Sequence, residues 1–269
     1  MAVQDLQPSA GILPSTTAHG NAMDGAGHHR PVAPEWESRI PEQEWQVYRR
    51  VMHEARAAGV QFAFGGAFAT AVYTGELRNT KDFDFYVLPE DRDTMIEAIT
   101  RAGLEDYFER LPYDRGWIYR ASRGDVLVDV IWAMANRRAT VDRDWLSRGP
   151  VVRIRGEQMR PIPIEELIWA KLYVLQRDRC DWGDVFNLIA AKADSIDWGR
   201  LLSRLAEDAP LLGGALSVFA WLDPEGARYI PRQVLSQLGV KPATGRYPVP
   251  PHSRAALLDS RPWFRPFAR

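Results

Sequence analysis

Two aspartates at alternate positions of one apolar run are the residues best suited to chemistry. Asp82 and Asp84 lie in the predicted strand at 82–88 and are separated by Phe83. Because successive side chains of a β-strand point to opposite faces, both carboxylates face one way and the phenylalanines face a core. Two neighbouring carboxylates repel each other and raise each other's pKa, and a divalent cation bound between them is the simplest way to relieve the repulsion. The alternative to a metal site is that both aspartates simply face solvent on an edge strand.

A third carboxylate lies in another predicted strand. Asp129 is the single acid in the apolar residues 126–131, where an unpaired charge is costly. If that strand lies beside the first, Asp129 completes a triad for Mg²⁺, which prefers oxygen ligands and leaves room for the phosphates of a nucleotide. The alternative is a structural acid that bonds to Arg120 across a β-hairpin.

A glycine pair precedes the aspartates. Gly65 and Gly66 stand between a short predicted strand at 61–64 and a helix of small residues at 67–74. The backbone N–H groups of such a turn, together with the helix N-terminus, can hold phosphate groups, and a Cβ there would obstruct their close approach. A glycine pair alone is weak evidence for a phosphate site, but its position ahead of the two aspartates strengthens that interpretation.

In this order and spacing, Gly65, Gly66, Asp82, Asp84 and Asp129 resemble the nucleotidyltransferase superfamily, which shares a polymerase-beta-like fold. The resemblance covers residues 60–135. It implies an Mg²⁺-dependent nucleotidyltransferase that moves NMP from an NTP to a hydroxyl group on a small molecule, an RNA or a protein. Two Mg²⁺ ions in such a site stabilise negative charge on the attacking and leaving oxygens.

The resemblance also implies roles for these residues. Asp82 and Asp84 would be catalytic ligands shared by both ions, and Asp129 would bind the ion nearer the acceptor and could take the hydroxyl proton. Gly65 and Gly66 would hold the triphosphate. Family enzymes often have a serine where this chain has Gly66, so phosphate binding is left to the backbone.

Three further nucleotide-binding residues are predicted. Arg78 and Thr80 lie just before the aspartates, and Arg78 could reach the β or γ phosphate; Lys171 could do the same from a helix further along the chain. A lysine in an apolar helical stripe needs an anion or must extend to solvent. Ordinary surface or packing charges are the alternative for Arg78 and Lys171.

A helical segment at 164–192 carries a second resemblance. Lys171, Arg177, Arg179, Asp181 and Asp184 are similar to the distal lysine and arginine–aspartate elements of the AbiEii-like branch. That branch implies a toxin of a toxin–antitoxin or phage-defence module that modifies tRNA or protein, with a cognate antitoxin as partner. Asp181 and Asp184 would position Lys171 or Arg179, or they would cap the following helix.

Apolar periodicity predicts an α+β fold with a small mixed β-sheet, helices on one face and a C-terminal helical part. The helical part begins with a helix at 164–177. The predicted units are a disordered lead (1–36), a nucleotidyltransferase core (37–163), the helical part (164–240) and a Pro-rich, aperiodic tail (241–269) that Trp263 and Phe267 pin to the body.

The composition predicts a cytoplasmic globular protein. The 269 residues are 46% hydrophobic and carry a net charge of -1, so no global basic field favours nucleic acid. The single cysteine, Cys180, excludes an internal disulfide and suits a reducing cytosol. No run matches a membrane span or a secretion signal, and we expect no membrane partner.

The sequence does not decide which kind of molecule is the acceptor. Residues 110–160 contain an excess of arginine, interleaved with Trp132 and Trp145. This stretch could contact RNA through phosphate pairs and stacking, or it could be a solvated face. A different class of function is a catalytically silent module that binds a nucleotide or a protein. Intact Asp82, Asp84 and Asp129 argue against that class.

Overall fold

A computed structural model describes residues 34–241 and 251–266 of the chain. It contains a five-stranded mixed sheet and a separate two-stranded hairpin. The sheet is formed by β1 (Ala63–Phe64), β2 (Asp82–Tyr86), β3 (Glu105–Asp106), β4 (Ile118–Arg123) and β5 (Val126–Ile131) in the order β1-β2-β5-β4-β3. The hairpin is formed by β6 (Val152–Ile154) and β7 (Glu157–Met159).

The first helices are interspersed with the strands along the chain, and the later helices follow the last strand. The first four are α1 (Glu42–Ala57), α2 (Gly66–Thr74), α3 (Arg92–Arg101) and α4 (Arg143–Ser147). The C-terminal helices are α5 (Ile164–Leu172), α6 (Trp182–Lys192), α7 (Trp198–Leu205), α8 (Ala209–Leu222), α9 (Arg232–Gln237) and α10 (Pro251–Leu258). The predicted mixed sheet followed by a helical part is confirmed.

The core lies under the apolar face of β2. Phe83 and Phe85 are fully buried, and the Phe83 ring lies 5.1 Å from the ring of Tyr48 on α1 and 4.9 Å from that of Phe68 on α2. Burial of these alternate residues favours one register of the strand, because a slip by one residue would place aspartates in the core. The intervening acidic side chains therefore occupy the opposite face.

The central pair of strands brings two distant acids together. β2 and β5 run parallel, and Asp84 is the register partner of Asp129. β4 and β5 form the predicted hairpin through Gly124, whose φ of +61° suits a tight turn. Arg120 of β4 is in turn paired with Asp129. The sheet order thus places three polar residues side by side on neighbouring strands.

The predicted helix at 164–177 is wrong in its second half. Helix α5 ends at Leu172, and the chain then folds back in a loop. In this loop the backbone N–H of Asp181 donates to the carbonyl of Val174, and that of Gln176 donates to the carbonyl of Arg179. These bonds satisfy backbone groups that a longer helix would have paired internally, and they return Arg179 and Asp181 towards the end of α5.

Other local predictions differ in part. The short α4 and β3 were not predicted, and α10 is a helix within the stretch expected to be aperiodic. Trp36, in the last residues of the predicted lead, is buried at 3% exposure, whereas residues 1–33 lie outside the described ranges. Phe267 also lies outside them, so its predicted anchoring stays a prediction.

Among the described residues, one stretch, 198–222, has the length and apolar character of a membrane span. It comprises α7, a short 3-10 turn at Ala206–Asp208 and α8. Ala206 has a φ of +47°, which breaks the helical path between the two helices. The buried leucines of both helices, such as Leu201 and Leu216, belong to the protein core.

Candidate active site

Three carboxylates meet on the polar face of the sheet. Asp82 and Asp84 of β2 and Asp129 of β5 each offer an oxygen, and these oxygens all lie within 4.8 Å of one another. Asp129 is 2% exposed, whereas the other two are half-buried. All three line a cavity of about 1240 Å³ between the sheet and the C-terminal helices. The structure thus brings the predicted triad together.

The triad carries an electrostatic cost. Burial, together with the neighbouring charges of Asp82 and Asp129, raises the pKa of Asp84 to about 8, against the opposing effect of Lys171 and Arg179. Three ionised carboxylates at this separation repel one another, and a bound cation relieves that repulsion. The donor set, carboxylate oxygens alone, fits a hard divalent ion such as Mg²⁺.

Asp129 is also paired with Arg120. The Arg120 guanidinium donates from Nε to Asp129 Oδ1 at 2.7 Å and from Nη2 to Oδ2 at 2.5 Å. Burial raises the pKa of Asp129, and this ion pair lowers it, with burial the larger effect. The contact expected of a structural acid is therefore present. The same carboxylate still lies within the triad, so the two interpretations of Asp129 are compatible.

The glycine pair makes room for the site's own side chains. A Cβ on Gly66 would lie 1.7 Å from Asp84 Oδ2, and Gly66 has a φ of +56° that favours glycine. A Cβ on Gly65 would lie 2.2 Å from the ring of Tyr86. The Gly65 N–H donates to the Asp84 carbonyl at 3.0 Å. The pair lets helix α2 begin directly against β2, beside the triad.

Thr80 lies next to the triad and contacts one of its aspartates. Its hydroxyl donates to Asp82 Oδ1 at 2.7 Å. The hydroxyl bonds to one carboxylate oxygen and not to Oδ2, and the bond restricts rotation of the Asp82 carboxylate. Thr80 therefore orients a triad member, and its assignment to nucleotide binding stays a prediction.

Lys171 of α5 is held by two acids of the helical part. Its side chain is 6% exposed, and Nζ lies 2.6 Å from Asp184 Oδ2 and 3.3 Å from Asp181 Oδ2. Arg78 reaches the same Asp184 oxygen from Nε at 3.1 Å. Asp181 stands at the N-cap position of α6 but makes no side-chain capping bond. Asp181 and Asp184 thus position cations, the first of the two predicted roles.

The sequence itself places the chain in a family. Residues 45–209, more than half of the chain, match the family described as uncharacterised nucleotidyltransferases. The chain belongs to this nucleotidyltransferase family. The match spans the glycine pair, the triad and the helical segment with Lys171, and it confirms the predicted superfamily. The AbiEii-like branch stays a prediction.

The solved structures that align with this nucleotidyltransferase are only remotely similar to it. The lincomycin-bound lincosamide adenylyltransferase LnuA is 15% identical with a TM-score of 0.41, and 55% of this chain covers 96% of that one. A nucleotidyltransferase from H. pylori is 17% identical with a TM-score of 0.40, covering 74% and 98%. The resistance factor ANT(2'')-Ia is 20% identical with a TM-score of 0.37, covering 50% and 72%. No curated protein matches by sequence.

The arginine-rich stretch of the nucleotidyltransferase forms ion pairs. Arg137 pairs with Asp114 at 3.2 Å, and Arg138 pairs with Glu207 at 2.7 Å. Arg155 pairs with Glu42. These pairs neutralise part of the local positive charge and weaken the case for an RNA-binding surface, which leaves the solvated face as the better interpretation.

Some cavity residues of the nucleotidyltransferase lie far from the motifs. Arg39, Glu76, Trp263 and Arg265 line the cavity but were not predicted to belong to a site. Arg265 and Glu76 are 189 positions apart in the sequence. No local pattern connects them, and a sequence signal for their contact would require pairs of positions that vary together.

Proposed function

We propose that this nucleotidyltransferase transfers NMP from an NTP to a hydroxyl group with the help of Mg²⁺. The observation that carries the proposal is the convergence of Asp82, Asp84 and Asp129 within 4.8 Å on the floor of a cavity. Family membership supplies the reaction class. The donor set and the mutual repulsion of the carboxylates favour a divalent cation.

The proposal gives each acid a role. Asp82 and Asp84 would hold two Mg²⁺ ions, which when bound stabilise charge on the attacking and leaving oxygens. Asp129 would hold the ion on the acceptor side and accept the proton of the acceptor hydroxyl. Thr80 would keep Asp82 in its orientation through the 2.7 Å bond.

The cationic side of the cavity would bind the nucleotide. Lys171 and Arg78, which share Asp184, lie on the cavity wall and supply positive charge for the triphosphate. The backbone N–H of Gly66 would contact a phosphate oxygen at the start of α2, because that of Gly65 already donates to the Asp84 carbonyl. A cavity of about 1240 Å³ can hold both a nucleotide and a small acceptor.

Calorimetry of the purified protein with Mg²⁺ and each NTP tests this proposal. We expect Mg²⁺-dependent NTP binding that is lost in the Asp82→Ala/Asp84→Ala variant. The matched control removes two exposed acids of α3, Asp93→Ala/Glu97→Ala, and should bind as the wild type does. Absence of binding by the folded wild type would favour the catalytically silent module instead.

The acceptor decides the biological role and is tested separately. A small molecule, an RNA and a protein all offer hydroxyl groups, and a toxin of a defence module would differ from a resistance enzyme only in this choice. Growth arrest on expression, relieved by an adjacent gene, would identify the toxin and its antitoxin. Arrest that persists in the Asp82→Ala/Asp84→Ala variant would show that the toxicity does not come from nucleotidyl transfer.

A further inference from the structure

One wall of the cavity lies outside the family match. Trp263 and Arg265, in the segment 262–266 that follows α10, line the same cavity as the triad. Arg39, in the short 3-10 helix Glu35–Arg39, lines it from the other end of the chain. The family match covers residues 45–209. Both flanking segments therefore lie outside the residues that the family match covers.

Helix α6 holds the C-terminal segment in place. Asn187 Nδ2 donates to the Trp263 carbonyl at 2.8 Å, and the Arg265 N–H donates to Asn187 Oδ1 at 3.2 Å. The Trp263 ring packs on Gly183, where a Cβ would lie 3.3 Å from the ring. Gly183 and Asn187 flank Asp184, the acid that holds Lys171 and Arg78. The segment is thus docked beside the cations expected to bind phosphate.

Arg265 reaches from this segment across to the loop before β2. Its Nη1 lies 2.5 Å from Glu76 Oε1, and Arg39 Nη1 lies 3.6 Å from Glu76 Oε2. Glu76 is two residues before Arg78. The Arg265 side chain is 72% exposed. The contact between Arg265 and Glu76 therefore lies on the Arg78 side of the cavity and is exposed to solvent.

This arrangement leaves positive charge at the cavity mouth. Each guanidinium carries five N–H donors, and one carboxylate cannot accept all the donors of two. Glu76 therefore orients Arg265 through a hydrogen bond, lies within ion-pair distance of Arg39, and neutralises one of their two charges. A guanidinium held in this way matches the oxygen atoms of a phosphate group.

Resting on the proposed function, we propose that Arg265 and Arg39 bind the triphosphate of the incoming nucleotide and that residues 262–266 complete the nucleotide site. Arg265 would keep its contact with Glu76, because Nη1 alone makes that bond and the other donors can meet phosphate oxygens. Asn187 would be a positioning residue, since it docks the segment through backbone groups.

Calorimetry of Arg265→Ala with Mg²⁺ tests the inference, using the NTP that the wild type binds and the corresponding NMP. We expect NTP binding to weaken about five-fold, as befits an exposed ion contact. NMP binding should change less than NTP binding, because the NMP lacks the β and γ phosphates. Arg39→Ala should act in the same direction, and the charge reversal Arg265→Glu should weaken NTP binding more.

Arg261→Ala is the matched control. Arg261 lies four residues before Arg265, is 84% exposed and pairs with Asp259 rather than with Glu76. Its loss should leave NTP affinity unchanged. Unchanged NTP affinity in Arg265→Ala, or an equal loss for NMP and NTP, would overturn the triphosphate role while the proposed function stands. A wild type that binds no NTP would instead overturn the proposed function and this inference with it.

Discussion

The Asp84 carboxylate occupies the space that a side chain on Gly66 would need. The Asp84 carboxylate fills the position of a Gly66 Cβ, which would lie 1.7 Å from Oδ2. The glycine therefore serves the candidate site by leaving space for one of its carboxylates. Its φ of +56° adds a second reason, because other residues adopt that backbone conformation at a cost.

Gly66→Ala should displace Asp84 and abolish Mg²⁺-dependent NTP binding. We expect it to lose about 1–3 kcal/mol of unfolding free energy beyond the backbone strain, because the added methyl group overpacks the site. Gly75→Ala is the matched control: Gly75 has a φ of +78° and no atom within 4 Å of a Cβ. Urea unfolding and calorimetry measure both. Equal losses in the two variants would contradict the clash.

Stability of the metal-free protein should fall as pH rises towards 8. The folded-state pKa of Asp84, about 8, lies above the unfolded value of about 3.9, so the folded state binds the extra proton between these values. The stability linked to that proton is complete below the unfolded pKa and is lost as pH rises through the folded pKa. Thermal melting in EDTA from pH 5 to 9 measures the slope.

Asp84→Asn should flatten this pH dependence and raise the melting temperature at pH 8, because the amide carries no charge. It should also remove stabilisation by added Mg²⁺. Asp93→Asn, which removes a 77% exposed acid, should leave both the slope and the Mg²⁺ effect as in the wild type. A slope unchanged in Asp84→Asn would show that Asp84 does not titrate in this range.

The two roles of Asp129 can be separated. Asp129→Asn keeps the shape of the side chain and should abolish Mg²⁺-dependent pyrophosphate release from an NTP, with water as the acceptor of the NMP group, while the protein stays folded. Arg120→Met should lose about 1–3 kcal/mol of unfolding free energy, since it leaves the buried Asp129 carboxylate without its donor. Pyrophosphate release at the wild-type rate in Asp129→Asn would leave Asp129 with the structural role alone.

Lys171→Met should weaken NTP binding about ten-fold, the size expected for a hydrogen bond between charged groups. Methionine fills the volume of the lysine stem but brings no charge to Asp181 and Asp184. Lys241→Met, at an exposed position, is the control for the loss of a lysine. Calorimetry with Mg²⁺ and NTP measures both variants, and equal affinities in the two would remove Lys171 from the nucleotide site.

The local elements of the site were predictable from the sequence. Alternation of Asp82, Phe83 and Asp84 has the period of a strand, and the single acid Asp129 in an apolar run requires a partner. The glycine pair marks the turn into α2. The extent of α5 was not predictable, because apolar residues continue past Leu172 and the chain is turned by bonds that the loop residues make with one another.

The sequence by itself determined which face of β2 is acidic, because neighbouring residues set the alternation of a strand. Only the tertiary structure decided that Asp184 holds Lys171 and Arg78 together, and that Arg265 meets Glu76. These partners lie on elements far apart in the chain. Their contact depends on how the helical part packs against the sheet, and that packing is the sum of many weak apolar contacts that no short motif encodes.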